Sequence, residues 1–147
     1  MTIAAYNNTA HYNGVVTLWQ NAFGYPDKRN NPDLVIQKKL SVDDMLYVAL
    51  EDDTVIGTVM VGYDGHRGWI YSLAVAPAFR KRGVATKLLR HAEQALAAKG
   101  CMKINLQILE SNEQVKEFYL KNGYSIEARI SMGKQIPENI PEQGIVQ

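Results

Sequence analysis

A basic segment that contains one glycine, residues 80–85, carries the residue types that bind phosphate. Arg80, Lys81 and Arg82 supply positive charge, and Gly83 lets a ligand approach the backbone where a Cβ atom would obstruct it. A helical pattern begins directly after Gly83. The first turn of a helix presents unpaired N–H groups and the positive end of the helix dipole. The segment therefore predicts a pocket for a phosphorylated ligand.

The flanking sequence predicts the strand and the helix that must hold this segment. Residues 69–75 form an apolar run typical of a strand, and Pro77 turns the chain behind it. After Gly83 the apolar residues recur at four-residue spacing, and Gly100 ends the predicted helix. The stripe consists of Val84, Leu88, Ala92 and Leu96.

The rest of the chain predicts a mixed α/β fold in one domain spanning residues 1–147. Antiparallel strands come first, and a strand–helix–strand–helix–strand half follows. Asn8 or Thr9 is the predicted cap of a first helix, Asn31 precedes a second, and Asn112 caps a short last one. Further strands are predicted at residues 2–6, 45–50, 54–63, 103–109 and 124–132.

Composition excludes several classes of partner. Hydrophobic residues make up 46% of the chain, which is enough for a core, and a net charge of +1 gives no support to nucleic-acid binding. No apolar run is long enough to span a bilayer, and the N-terminal residues lack the pattern of a signal peptide. With Cys101 as the single cysteine, neither an intramolecular disulfide nor a multi-cysteine metal site is possible. We therefore expect a cytoplasmic protein with no metal, membrane or nucleic-acid partner.

Three known phosphate-binding designs can be compared with residues 80–85. A nucleoside-triphosphate P-loop needs G-x-x-x-x-G-K-[ST], and that string does not occur. A dinucleotide fingerprint needs G-x-G-x-x-G, of which the segment has one glycine only. The string that does occur is R-x-x-G-x-A, from Arg80 to Ala85.

This string resembles the [QR]-x-x-G-x-[GA] motif of the Gcn5-related N-acetyltransferase (GNAT) family. Residues 73–77, Leu-Ala-Val-Ala-Pro, are similar to the strand that precedes the loop in that family. Asn112, the Phe-Tyr pair at residues 118–119 and the Gly-Tyr pair at residues 123–124 are similar to its N…FY…GF signature. The resemblance covers about residues 54–124. It implies the GNAT acyl-CoA N-acyltransferase fold, with a central mixed, mostly antiparallel sheet flanked by helices, and acetyl-CoA as the acetyl donor.

The same resemblance implies how the cofactor is held. The backbone of residues 80–85 is expected to bind the coenzyme A pyrophosphate at the start of the helix. The strand ending at Val75 is expected to separate from residues 104–109, so that the pantetheine arm lies in the gap and bonds to the backbone. The implied cofactor-binding residues are Leu73, Ala74, Val75, Arg80, Lys81, Arg82, Gly83, Val84, Ala85, Thr86, Asn112 and Tyr119.

Two catalytic roles follow from the resemblance. A backbone N–H near Leu73 is expected to polarise the thioester carbonyl and stabilise the tetrahedral oxyanion. Tyr119 is similar to the tyrosine that protonates the leaving thiolate. The alternatives remain open, because Asn112 is also a plausible helix cap and Tyr119 also fits a core aromatic position.

The implied function is an N-acetyltransferase that acts on a primary amine of a small molecule or a peptide. The alternatives are a non-catalytic acyl-CoA sensor on the same fold and a nucleotide-binding domain. Many relatives place a glutamate on the strand at residues 69–73, where this chain has no carboxylate. The candidates for base function are therefore a water ordered by Tyr71 or Ser72, and, as a weaker choice, Glu110. Dimerisation is common for the fold, which makes a homodimer one expected arrangement.

The remaining polar and aromatic residues are interpreted more simply. Cys101 is expected to be structural, Asp64 and His66 to lie in a solvated turn, and His11 and His91 to lie on the surface. Trp19 and Phe23 are expected in the core. The first two helices flank the acceptor site in the family, so several residues could meet a cationic amine there, although each also fits an ordinary polar loop. These are Tyr25, Asp27, Asp33, Asp43 and Asp44.

Overall fold

The computed structural model describes residues 1–24 and 27–137. The chain divides into two compact units, residues 1–110 and residues 111–147. The prediction that residues 1–147 act as one domain stays a prediction. Among the described residues, no helix combines the length and the apolar character that crossing a membrane requires.

The described part of the first unit contains a five-stranded sheet in the spatial order β1-β2-β3-β4-β5. The pairs β1–β2, β2–β3 and β3–β4 are antiparallel, whereas β4 and β5 run parallel. This confirms the predicted mixed, mostly antiparallel sheet. The elements are β1 (Thr2–Ala5), α1 (Asn8–Phe23), α2 (Pro32–Val42), β2 (Leu46–Glu51), β3 (Thr54–Tyr63), β4 (Gly68–Val75), α3 (Val84–Ala98) and β5 (Ile104–Asn105).

Helices cover both faces of this sheet. On one face, α1 and α2 pack on β2 and β4 through an apolar cluster that includes Val15, Leu18, Trp19, Ile36, Leu46, Val48 and Ala74. On the other face, α3 lies against β3 at Gly57. A Cβ atom there would come within 2.9 Å of Leu88 and 3.3 Å of Val84. Gly57 therefore permits the close approach of the helix that follows the basic segment.

The cap of α1 and the burial of two of its residues differ from the sequence predictions. The cap is Asn7, whose side chain accepts a hydrogen bond from the Ala10 N–H, rather than Asn8 or Thr9. His11 is buried, and its Nδ1 accepts a hydrogen bond from the Asn7 N–H, so the predicted surface position was wrong. Phe23, predicted in the core, is 51% exposed at the end of the helix.

The second unit contains α4 (Glu113–Lys121), close to the prediction, but the strand predicted at residues 124–132 does not form. Residues 124–137 are neither helix nor strand, and Ile126, Ile130 and Met132 are exposed. The strand predicted at residues 103–109 is reduced to the two residues of β5. Alternating apolar residues favour an extended chain, but a strand also requires a backbone partner, which the pattern does not supply.

Candidate active site

Strand β4 is paired on both edges only at its beginning. Gly68 pairs with Ile104 and Trp69 with Asn105, and β5 ends there. From residue 70 onward, β3 is the only ladder partner of β4 among the described residues. Residues 70–75 and 106–109 thus form no ladder with each other, which is compatible with the predicted separation of the two segments. An extended ligand arm can pair with an open strand edge of this kind.

A bulge interrupts β4 beside this open edge. Met60 pairs with Tyr71 and Thr58 with Ala74, so that Val59 faces two residues of β4, Ser72 and Leu73. Ser72 has a φ of 49°, in the left-handed region that residues other than glycine rarely adopt. Bulges of this type re-aim the groups next to them. Leu73, the predicted oxyanion donor, lies within the bulge.

The basic segment connects β4 to α3 through a tight turn at Pro77–Phe79. The Arg80 Nε donates to the Val75 carbonyl over 3.2 Å, so this guanidinium ties the loop to the end of the strand. The guanidinium of Arg82 lies 5.3 Å from the centre of the Phe79 ring, a cation–π contact. Lys81 has a φ of 62° and is exposed.

Gly83 is the N-cap residue that precedes α3, and no side chain caps this helix. Gly83 adopts a left-handed conformation with φ 79°, and the position that a Cβ atom would occupy is open. The first helical hydrogen bond runs from the Lys87 N–H to the Gly83 carbonyl over 3.1 Å. The N–H groups of the residues between them precede the helical ladder and point out of the helix start. Val84, Ala85 and Thr86 thus form, with Gly83, a site suited to an anionic group.

Comparisons with known proteins address the family and the fold of the chain. The family model described as Acetyltransferase (GNAT) family matches residues 12–124. The chain belongs to the GNAT acetyltransferase family. This confirms the resemblance drawn from residues 73–85 and 112–124.

Solved structures show the GNAT fold over nearly the whole chain. Aminoglycoside 6'-N-acetyltransferase AAC(6')-IG from Acinetobacter haemolyticus is 20% identical with a TM-score of 0.72, over 93% of this chain and 100% of that one. Glucosamine-6-phosphate N-acetyltransferase from Arabidopsis thaliana is 21% identical with a TM-score of 0.68, over 92% and 98% of the two chains. Aminoglycoside N-acetyltransferase AAC(6')-Iy in complex with CoA is 20% identical with a TM-score of 0.74, over 91% and 93%. These similarities establish the shared fold.

In the second unit of this GNAT protein, Asn112 caps α4. Its side chain accepts a hydrogen bond from the Val115 N–H over 3.2 Å. The capping interpretation of Asn112 is therefore observed, and the role beside the cofactor stays a prediction.

Tyr119 lies on the buried face of α4. Its ring makes edge-on contacts with Phe118 and Tyr124, at centroid distances of 5.1 and 5.4 Å. Burial raises the pKa of Tyr119 to about 12, so the phenol carries its proton at neutral pH. The side chain is thus both a packed aromatic and a protonated donor, which is compatible with either interpretation of this residue.

The candidates for base function on and near β4 differ in their suitability. Tyr71 is 45% exposed, and burial of the rest of its ring, followed by the charge of Asp64, raises its pKa. Tyr71 is therefore protonated at neutral pH and can order a water but cannot act as a phenolate base. Glu110 is exposed just beyond residues 106–109. The structure identifies no base among them.

Asp64 holds the hairpin between β3 and β4. Its carboxylate accepts hydrogen bonds from the His66 and Arg67 N–H groups at 2.8 and 2.7 Å and from the Trp69 indole at 3.3 Å. The bonds from Arg67 and His66, in that order, and the Trp69 indole lower the pKa of Asp64. Asp64 thus stabilises a turn, as its position in the sequence suggested.

The acidic residues considered for an amine acceptor are largely engaged in local structure. Asp27 accepts a hydrogen bond from the Asn30 N–H, and Asp43 bonds to Lys39 and to the Met45 N–H. Asp33 accepts hydrogen bonds from the Tyr12 hydroxyl at 2.7 Å and from Gln37 at 3.0 Å. Tyr25 lies outside the described residues. Local structure therefore accounts for these contacts, although at helix ends rather than in a loop: Asp27 caps the short helical turn Lys28–Asn30, Asp33 lies in the first turn of α2 and Asp43 follows its last residue.

Cys101 packs against the backbone at the start of β4, as expected for a structural cysteine. Its Sγ lies 3.2 Å from the Lys103 carbonyl, within hydrogen-bond reach, and its side chain faces Gly68 at the start of β4. Among the described residues, no group of three or more His, Cys, Asp or Glu side chains could hold a metal ion.

Sequence reasoning missed one residue at the bulge, Thr58. The signal was a hydroxyl side chain inside the otherwise apolar run of residues 55–61 of β3. Thr58 is fully buried, and its hydroxyl is bonded on two sides. A buried polar side chain in an apolar strand needs such partners, which only the folded chain can provide.

Proposed function

We propose that this GNAT protein transfers an acetyl group from acetyl-CoA to a primary amine by direct attack. The observation that carries the proposal is the open edge of β4, with its bulge at residues 72–73, next to a helix start that has no side-chain cap. One feature suits an extended thioester arm and the other suits a pyrophosphate. Family membership and the neighbour solved with CoA support the choice of donor.

The donor is proposed to bind along the first unit. The N–H groups of Val84, Ala85 and Thr86 would hold the pyrophosphate, with Gly83 leaving room for its close approach. The pantetheine arm would run along Leu73, Ala74 and Val75. Arg80 already bonds to the Val75 carbonyl, so its role here is to hold the loop, while the exposed Lys81 and Arg82 can reach outer phosphates of the cofactor.

The proposed reaction begins at the thioester carbonyl of acetyl-CoA. The amine nitrogen attacks the thioester carbonyl carbon, and a C–N bond forms while the carbonyl oxygen gains negative charge. The Leu73 N–H donates to this oxyanion. The C–S bond then breaks and the leaving thiolate takes a proton, for which the family resemblance suggests the Tyr119 phenol as donor; the proton released by the amine restores that donor through solvent. Burial raises the pKa of Tyr119 to about 12, above that of an ordinary thiol, so the phenol is protonated at neutral pH but the transfer to the thiolate is uphill in the unliganded protein.

The acceptor is proposed to be an amine because the solved neighbours named above are N-acetyltransferases. Two solved neighbours are named as aminoglycoside N-acetyltransferases, and a third as a glucosamine-6-phosphate N-acetyltransferase. A sugar amine is therefore the first class of acceptor to test in this protein. Peptide amines form the second class in the same panel.

The decisive experiment combines binding and turnover. Calorimetry should show binding of acetyl-CoA but not of ATP, and thiol release should rise above background with at least one amine of the panel. Tyr119→Phe should bind acetyl-CoA normally and lower kcat by about 10²-fold, the scale of one general acid. Binding of ATP alone would contradict the donor assignment. Acetyl-CoA binding without turnover on any amine would favour the alternative, an acyl-CoA sensor.

A further inference from the structure

A chain of two hydrogen bonds links helix α1 to the bulge in β4. The Trp19 indole N–H donates to the Thr58 hydroxyl oxygen over 2.8 Å, and the Thr58 hydroxyl donates to the Ser72 carbonyl over 2.9 Å. All three residues belong to the first unit. Ser72 is the residue with φ 49° that forms the bulge.

The direction of these bonds is fixed by the chemistry of the groups. An indole N–H can only donate, so it occupies an acceptor position of the Thr58 oxygen. The hydroxyl has one proton, which is then left for the Ser72 carbonyl. Trp19 therefore selects the orientation in which Thr58 holds the bulge.

Thr58 occupies a position where an apolar side chain would pack. It is fully buried, its cross-strand partners are Val48 and Ala74, and these two belong to the apolar cluster under α1 and α2. Valine has almost the same shape as threonine, so packing alone does not explain the hydroxyl. A buried hydroxyl is costly unless its hydrogen bonds are made, and here both are.

The Ser72 carbonyl and the Leu73 N–H belong to the same peptide unit. The peptide bonds of the described residues are all trans, so this N–H points away from the carbonyl of its own unit. Because the carbonyl is held toward Thr58, the N–H is held in the opposite direction, away from Thr58. The Thr58 hydroxyl thereby sets the orientation of the N–H that the proposed reaction uses.

We propose that Thr58, oriented by Trp19, is a positioning residue that aims the Leu73 N–H at the thioester carbonyl oxygen. The inference rests on the proposed function, because it assigns a purpose to that N–H. Thr58 itself touches neither the donor nor the acceptor. It acts through the peptide unit between Ser72 and Leu73.

The test uses Thr58→Val, which removes the hydroxyl and keeps the shape, and Thr58→Ser, which restores a hydroxyl. Val48→Ala is the matched control, because it disturbs a buried neighbour of Thr58 on the same face without touching the hydrogen bonds. We expect Thr58→Val to lower kcat about 10- to 100-fold, less than the roughly 10²- to 10³-fold that complete loss of one oxyanion donor costs, because the N–H is misaligned rather than removed. The dissociation constant of acetyl-CoA should stay within about twofold, because the helix start is unchanged. Thr58→Ser should recover most of kcat, and Val48→Ala should keep it.

A second readout does not depend on turnover. In the unliganded protein, the amide resonance of Leu73 and the indole N–H resonance of Trp19 should shift in Thr58→Val and stay in place in Thr58→Ser and Val48→Ala. The outcomes separate the two proposals. A wild-type protein that neither binds acetyl-CoA nor releases thiol contradicts the proposed function. If the wild type is active, three results for Thr58→Val would each overturn the inference: an unchanged kcat, a fall in kcat no larger than that of Val48→Ala, or an unmoved Leu73 resonance.

If Thr58→Val does not fold, Trp19→Phe serves in its place. It keeps the Thr58 hydroxyl but removes the group that orients it. We expect a smaller fall in kcat, about 3- to 10-fold, with the same shift of the Leu73 resonance. Unchanged kcat and an unmoved resonance in Trp19→Phe would overturn the inference equally.

Discussion

The helices of the described residues begin in two different ways. Three of them begin behind an asparagine whose side chain accepts a hydrogen bond from a first-turn N–H, namely α1 at Asn7, α2 at Asn31 and α4 at Asn112. Helix α3 begins behind Gly83, which has no side chain to offer. The asparagine caps satisfy first-turn donors within the chain, whereas α3 leaves its donors for a ligand or for water. The difference separates a helix start that stabilises the fold from one that can bind an anion.

The largest effect is expected from a carboxylate at the uncapped start of α3. Gly83→Glu places a negative charge where the pyrophosphate is proposed to bind, and like charges that close cost several kcal/mol. We expect the dissociation constant of acetyl-CoA, measured by calorimetry, to rise by at least about 10²-fold.

Gly65→Glu is the matched control for that substitution. Gly65 also has a positive φ, 94°, and open space around its Cβ position, but it lies in the hairpin between β3 and β4. The Gly65→Glu substitution therefore introduces the same charge and a similar backbone strain away from α3. Equal losses of acetyl-CoA binding in the two variants would show that the start of α3 is not the anion site.

The next prediction concerns α4, whose start is capped by Asn112 and whose buried face carries the Tyr119 phenol. The pKa of Tyr119 is about 12 in the folded chain, against an ordinary value of 10.0. Folding therefore retains the proton of Tyr119 in a pH range where the unfolded chain loses it. This contribution is fully present below pH 10 and is lost as pH rises toward 12. It amounts to roughly 2–3 kcal/mol of the free energy of unfolding.

Denaturant unfolding at pH 9 and pH 12 measures this contribution. The wild type should lose more stability between these pH values than Tyr119→Phe, by the amount given above. Phe118→Leu is the control, because it weakens packing next to Tyr119 but keeps the phenol, so its pH dependence should match the wild type. If Tyr119→Phe and the wild type lose the same stability, the phenol is not buried in the folded chain.

The smallest predicted effect concerns the asparagine cap of α4, Asn112. Asn112→Ala and Asn31→Ala each remove an asparagine cap, so each should lower the free energy of unfolding by about 1 kcal/mol. Because the resemblance also places Asn112 beside the cofactor, we expect only Asn112→Ala to raise the KM for acetyl-CoA, by about fivefold for one lost hydrogen bond. Equal KM values in the two variants would leave Asn112 as a helix cap alone.

Local patterns predicted the elements whose formation depends on neighbours in sequence. The bounds of β3 at residues 54–63 match the structure, and α3 begins directly behind Gly83 and ends just before Gly100. Turn residues, caps and helical periodicity carry this information, because they act within a few residues. The basic segment at residues 80–85 was identified for the same reason, and the family model confirmed the motif-based family assignment.

Non-local pairing explains the predictions that failed. Residues 106–109 and 124–132 alternate as strands do, yet neither segment forms one. Burial of His11 and exposure of Phe23 likewise depend on which elements pack against α1. Such features depend on partners that are distant in sequence, which no local pattern encodes.

The glycine start of α3 and the family of this protein follow from the residue order alone, because glycine, basic residues and helical spacing act locally at residues 80–85. Other features arise only in the folded chain: within its described part, β4 pairs with β5 for two residues and not beyond, Ser72 takes a left-handed conformation, and Thr58, bonded to Trp19, bonds to the Ser72 carbonyl. The physical reason is that a bulge and its hydrogen bonds join residues up to 53 positions apart, from Trp19 to Ser72, which meet only after the sheet and α1 have packed.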